Sequence, residues 1–215
     1  MFPSVHSAFR NFNAAFEGVI PFMYLDIKGL VTIGVGNLID PVELAQDLPF
    51  HLKGNPASPA TKDQITAEWR MLKSNPKLAC EGYQACGPLT RLELDDTSIA
   101  ALISGRLARD EAILKLQLWF AGLETWPADA QLGLLSMAWA MGPGGPGEFP
   151  RFRAACRDLN FVTAAQQCAM DEDGNPGLIP RNRANTTLFS NAAAVLKNPA
   201  RDRSILHFPK VLPLM

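Results

Sequence analysis

The sequence predicts a mainly α-helical fold of the α+β class with one small β-hairpin, and three observations point there. Ala8, Phe9, Phe12, Ala15 and Phe16 repeat at helical spacing. Phe22 to Asp26 and Val31 to Val35 read as two strands around the turn Ile27-Lys28-Gly29, and in the second Val31, Ile33 and Val35 alternate with Thr32, Gly34 and Gly36. Leu132 to Gly142 is apolar on nearly every face, the mark of a buried helix.

Taken in order, the first helix, over 8–17, ends on Glu17, and Pro21 makes its continuation unfavourable. In the hairpin that follows, Asp26 ends one strand and Thr32 lies early in the next, so both side chains are expected at one end of a cleft. Residues 37–88 carry Pro41, Pro49, Pro56, Pro59 and Pro88 and read as an enlargement of the hairpin lobe. Ser58 or Thr61 is positioned to cap a helix running through Trp69 to Lys73. This segment is either an inert insertion or a cleft wall in which Trp69 and Tyr83 stack on a sugar ring, with a core role the alternative for Trp69. The run Gly142 to Gly147 follows a helix and lacks the Gly-Lys-Ser/Thr ending of a phosphate loop, so it reads as a helix stop and turn. Cys156 and Cys168 fall on two further predicted helices.

Composition narrows the class. At 215 residues, with 47% hydrophobic and 19% charged, the chain can bury the core of a single domain. No segment approaches the roughly 18 consecutive apolar residues of a membrane span. The start, Met-Phe-Pro-Ser-Val-His, lacks the basic and apolar regions of a secretory signal, so none is expected. Net charge of -1 and a pI near 6.3 give weak long-range attraction to polyanions, and no basic aromatic patch suggests nucleic acid. His6, His51 and His207 have no zinc spacing. Asp171, Asp173 and Asn175 imitate the start of a calcium loop, but Pro176 and Asn182 stand where Gly and Glu are needed. No metal or cofactor is expected. Cys80 with Cys86, and Cys156 with Cys168, are either disulfides or free thiols.

Glu17, Asp26 and Thr32 carry the chemistry. Cleaving a glycosidic bond needs one carboxylic acid to protonate the leaving oxygen and a second carboxylate to activate water or stabilise the oxocarbenium-like transition state. The plainer alternative is a helix-end acid and a turn acid.

The pattern is Glu, eight residues, Asp, five residues, Thr, with Gly18 after the first acid and Thr-Ile-Gly-Val-Gly at the end. It resembles the phage-type lysozymes, glycoside hydrolase family 24. The resemblance implies Glu17 as general acid, Asp26 as base or electrostatic stabiliser, and Thr32 as the residue that holds the water. It implies two lobes, a small one over about 17–95 enlarged by the insertion at about 37–88, and a helical one over about 96–215. Residues 89–113 resemble the long helix linking the lobes, Leu132 to Gly142 the buried central helix, and Phe149 to Cys168 a helical pair. Pro180 to Phe189 resembles the Arg-containing stretch before the C-terminal helix.

In that stretch Arg181 or Arg183 takes the family's role of pairing with the catalytic Glu; alignment on Leu188-Phe189 favours Arg181, and the Asn-Arg dipeptide favours Arg183. Of Met137, Trp139 and Met141, otherwise core residues, Met141 is the one assigned to the cleft. Asn37 and Arg106 stand where many members pair a His with an Asp.

The implied reaction is hydrolysis of the β-1,4 bond between N-acetylmuramic acid and N-acetylglucosamine, with inversion if the carboxylates lie roughly 6.5 to 9.5 Å apart. The partner would be peptidoglycan glycan strands, bound by a monomer made in the cytoplasm and carried to the periplasm or cell wall through a pore or secretion machine. As a phage endolysin it would lyse its host; as an antibacterial effector it would meet an immunity protein. A chitin-type hydrolase and a catalytically silent wall-binding module are the alternatives.

Overall fold

A computed structural model describes residues 1–214. The chain forms two compact units, one of residues 17–106 and one of residues 1–16 with the chain from 107 onward. In chain order the elements are α1 (Pro3–Glu17), β1 (Ile20–Leu25), β2 (Val31–Gly34), β3 (Asn37–Leu38), α2 (Val42–Gln46), β4 (His51–Leu52), β5 (Asn55–Pro59), α3 (Lys62–Lys73), α4 (Leu78–Glu81) and α5 (Tyr83–Cys86). There follow β6 (Leu92–Glu93), α6 (Asp96–Lys115), α7 (Ala128–Met141), α8 (Pro150–Arg157), α9 (Phe161–Gln167) and α10 (Leu178–Lys197). The fold is therefore mainly α, with two small antiparallel sheets ordered β1-β2-β3 and β5-β4-β6.

In the 17–106 unit the hairpin forms as its alternation predicts, with Tyr24 opposite Thr32 and Leu25 opposite Val31. The first strand starts earlier than expected, at Ile20, and contains Pro21. Because β1 is an edge strand, a residue without an N–H fits there, and its carbonyl accepts from Leu94 at 2.8 Å.

The segment 37–88 is packed and hydrogen-bonded. Thr61 caps α3 in a reciprocal box, its hydroxyl accepting from the Gln64 N–H and the Gln64 side chain accepting from the Thr61 N–H. Ser58 instead accepts from Asn55 Nδ2. Replacing Thr61 with Ala is expected to lower stability by about 1 kcal/mol, read as a shift in urea midpoint at unchanged slope. On the buried side of α3, Glu68 Oε2 accepts the N–H groups of Arg91 (2.6 Å) and Leu92 (3.2 Å), and burial pushes its carboxyl above the ordinary range despite those donors. Lys53 Nζ reaches the Gly87 carbonyl and the Thr90 hydroxyl while lying over the Phe22 ring, 4.3 Å from its centroid.

The long helix starts at Asp96, not at residue 89. Leu92 and Glu93 are taken into β6 by pairing with Leu52 and His51, and the Asp95 carboxylate then receives the Ser98 N–H at 2.7 Å. A two-residue strand held only by tertiary pairing overrides the helical reading of its own sequence.

In the other unit α7 is buried from Ala128 to Trp139. Gly133 permits its close approach to α10, since a Cβ there would lie 3.0 Å from the Phe189 ring. Edge-to-face pairs Trp126–Phe161 (5.3 Å) and Phe152–Phe189 (5.2 Å) extend this core. Pro180 to Arg183, expected before the C-terminal helix, lies inside α10. Pro180 occupies its first turn, where a missing N–H leaves no intrahelical bond unmade.

Glu111 on α6 gathers the Met1 ammonium (2.5 Å), His6 (2.8 Å) and Lys115 (2.6 Å). Burial alone would raise its pKa, but hydrogen bonds from Lys115, the ammonium and His6 outweigh it and hold the carboxyl at about 2. A depressed folded-state value stabilises above the unfolded pKa and is lost as pH falls through the folded one. The destabilisation caused by Glu111→Gln is thus expected at neutral pH and should fade between about pH 4.5 and 2 in denaturant titrations.

All four cysteines are free thiols, so neither pairing forms. Cys80 is exposed, while Cys86, Cys156 and Cys168 are buried and their thiols pushed up by that burial. Among the described residues no group of three or more His, Cys, Asp or Glu side chains is arranged to hold a metal, and no helix is long and apolar enough to cross a membrane.

Candidate active site

Glu17 is the last residue of α1 and is half-buried. Gly18, at φ +72°, ends the helix in the left-handed conformation and turns the chain into β1. Eight residues later the strand ends and Asp26 enters the turn. Its Oδ1 accepts the N–H groups of Lys28 (2.8 Å) and Leu30 (2.9 Å), which locks the carboxylate against its own turn. Among the described residues Oδ2 makes no such bond. Thr32, 4% exposed, donates its hydroxyl to the Leu30 carbonyl at 3.3 Å. With its hydrogen so engaged, the Thr32 oxygen presents lone pairs only.

Tyr24 joins these residues and was missed by sequence reasoning. It stands opposite Thr32 in the ladder, and strand alternation carries its face on to Asp26 two residues later. Burial pushes its phenol well above the ordinary value, and the negative charges of Glu17 and Asp26 push it further, against a hydrogen bond with the Gly36 backbone. Tyr24 is therefore a neutral phenol. The available signal was its place two residues before Asp26 in an alternating strand.

Two of the expected sugar-stacking residues part company. Tyr83, 36% exposed, meets the Tyr24 ring edge-on at 6.1 Å and so belongs to this site. Trp69 is half-buried. Its indole N–H donates to the Ile39 carbonyl at 3.0 Å, and Lys73 Nζ lies 5.5 Å from its ring. At the hairpin exit, Asn37 Nδ2 reaches the Leu102 carbonyl at 3.5 Å and Arg106 donates to the Gly36 carbonyl at 2.7 Å, so both positions remain structural.

Arg181 and Met141 belong to the other unit. Arg181 is 1% exposed, donates to Asn13 Oδ1 (2.7 Å) and the Ser136 carbonyl (3.3 Å), and lies 4.7 Å from the centroid of Phe16, the residue before Glu17. Arg183 is exposed at the rim of an apolar depression of about 430 Å³ lined by Phe12, Phe16 and Phe208. Of the two, Arg181 has the fixed, buried guanidinium. Met141 is half-buried at the end of α7, packed so closely under the following turn that a Cβ on Gly145 would fall 2.6 Å from its own.

Glu17, Asp26, Thr32, Tyr24 and Tyr83 thus supply two carboxylates, three hydroxyls and an exposed aromatic ring, a set able to donate and accept protons. No protein-family model and no curated protein matches the chain.

Proposed function

We propose that the protein is a peptidoglycan hydrolase of the muramidase type, similar in its reaction to the phage-type lysozymes. The observation that carries this reading is the hairpin that follows Glu17, in which Asp26 is fixed through Oδ1 by two backbone N–H groups and Thr32 stands directly across from Tyr24. In this reading Glu17 gives its proton to the glycosidic oxygen as the bond to the anomeric carbon breaks. A water held by Asp26 and Thr32 attacks that carbon from the opposite face and passes its proton to Asp26. Asp26 Oδ2 is the oxygen available to accept it, because Oδ1 is occupied by two backbone donors. Tyr83 would stack against a sugar ring. The route to the cell wall, as phage endolysin or as delivered antibacterial effector with an immunity protein, follows the same chemistry.

Incubation with purified peptidoglycan and with chitin oligomers tests the assignment. Release of reducing ends from peptidoglycan and not from chitin is expected. Cleavage of chitin alone would replace the substrate, and retention on the wall without release would make the protein a binding module.

A further inference from the structure

Two peptide groups of the turn between Asp26 and Thr32 are each held from both sides. The peptide joining Gly29 to Leu30 accepts from Lys73 Nζ at its carbonyl (2.9 Å) and donates its N–H to Asp26 Oδ1 (2.9 Å). The next peptide, joining Leu30 to Val31, accepts at its carbonyl from the Thr32 hydroxyl (3.3 Å) and the Asp26 N–H (2.9 Å), and donates its N–H to Asp40 Oδ2 (3.2 Å). Lys73 and Asp40 close the arrangement with a 2.8 Å ion pair whose side chains are 33% and 15% exposed. Both come from the segment 37–88, and Trp69 packs beside them.

From this geometry we propose that Lys73 and Asp40 are positioning residues for hydrolysis, acting on Asp26 and Thr32 through these two peptides. The inference rests on the hydrolase reading above. A cation on the Gly29 carbonyl polarises that peptide and strengthens its N–H as a donor to Asp26. An anion on the Val31 N–H makes the Leu30 carbonyl a better acceptor for the Thr32 hydroxyl. Both effects fix the same outcome: Asp26 turns Oδ2 to the water, and Thr32 offers the water a lone pair. The segment 37–88 thereby gains a task in catalysis.

The test is steady-state hydrolysis of peptidoglycan by wild type, Lys73→Met, Lys73→Arg and Asp40→Asn, each first shown to be folded by circular dichroism. Lys73→Met and Asp40→Asn are expected to lower kcat by about tenfold or more with KM changed less than about twofold, and Lys73→Arg to recover most of the loss. In an Asp26→Asn background, Lys73→Met should lower kcat little further, because the group it positions is gone. An unchanged kcat in folded Lys73→Met overturns the inference, as does an equal fold-loss in both backgrounds. Should Lys73→Met not fold, Lys73→Gln, which keeps a donor without the charge, carries the same comparison. A wild type that releases no products removes the hydrolase reading itself, before any variant is compared.

Discussion

Glu17→Gln is expected to lower peptidoglycan turnover by roughly 10² to 10⁴, the range a positioned general acid contributes. Gln keeps the shape and hydrogen-bonding reach of the side chain but has no proton to give to the leaving oxygen. Substrate retention should therefore survive while release stops. Asp26→Asn should cost a similar factor by a different route. The amide can still accept from Lys28 and Leu30 through its oxygen, but it presents an NH₂ where a water must deliver its proton. Initial rates of soluble fragment release, with binding measured by co-sedimentation, separate the two effects. A Glu17→Gln enzyme within a few-fold of wild type would remove Glu17 from the chemistry.

The second large effect concerns the fastening of the segment that follows α10. Asp129, fully buried, accepts from Asn191 Nδ2 (3.0 Å) and from the N–H groups of His207 (2.9 Å) and Phe208 (3.0 Å). Asn191 in turn bonds the Lys210 carbonyl and the Leu212 N–H, so two side chains fasten the segment that follows α10. Asp129→Ala leaves these donors without an acceptor and is expected to cost about 3–5 kcal/mol, a fall in melting temperature on the order of 10 °C for a chain of this size. Burial pushes the Asp129 carboxyl above its ordinary value although all three donors oppose it. A raised folded-state pKa stabilises below the unfolded value and loses that contribution as pH rises through the folded one. The deficit of Asp129→Asn relative to wild type should therefore narrow as pH rises. Thermal and urea denaturation read both results, and a loss under about 1 kcal/mol for Asp129→Ala would contradict the clamp.

What the sequence made legible was local. The end of α1 at Glu17, the hairpin around the turn from Ile27 to Gly29, a cap at Ser58 or Thr61 and the buried run of α7 all follow from spacing and short-range hydrogen bonds. What it hid depended on partners distant in the chain. Leu92 and Glu93 look like the start of a helix until His51 and Leu52 pair with them. The bond from the Trp69 N–H to the Ile39 carbonyl is likewise invisible in the sequence. Lys73 reads as the basic last turn of an exposed helix and Asp40 as an acid before a proline. Only the fold brings them together beneath Gly29 and Val31. The hairpin that carries Asp26 and Thr32 was legible, but the peptides that hold their side chains were not, because a backbone hydrogen bond leaves no mark on residue type.

The proposed function places Glu17 and Asp26 in the hydrolysis of peptidoglycan. Mass spectrometry of the soluble products from purified peptidoglycan, digested in parallel by wild type and Glu17→Gln, tests it most directly. Muropeptides with free reducing ends are expected from wild type alone. Anhydro-muropeptides would indicate a lytic transglycosylase, and products from neither protein despite binding to the wall would contradict hydrolysis altogether.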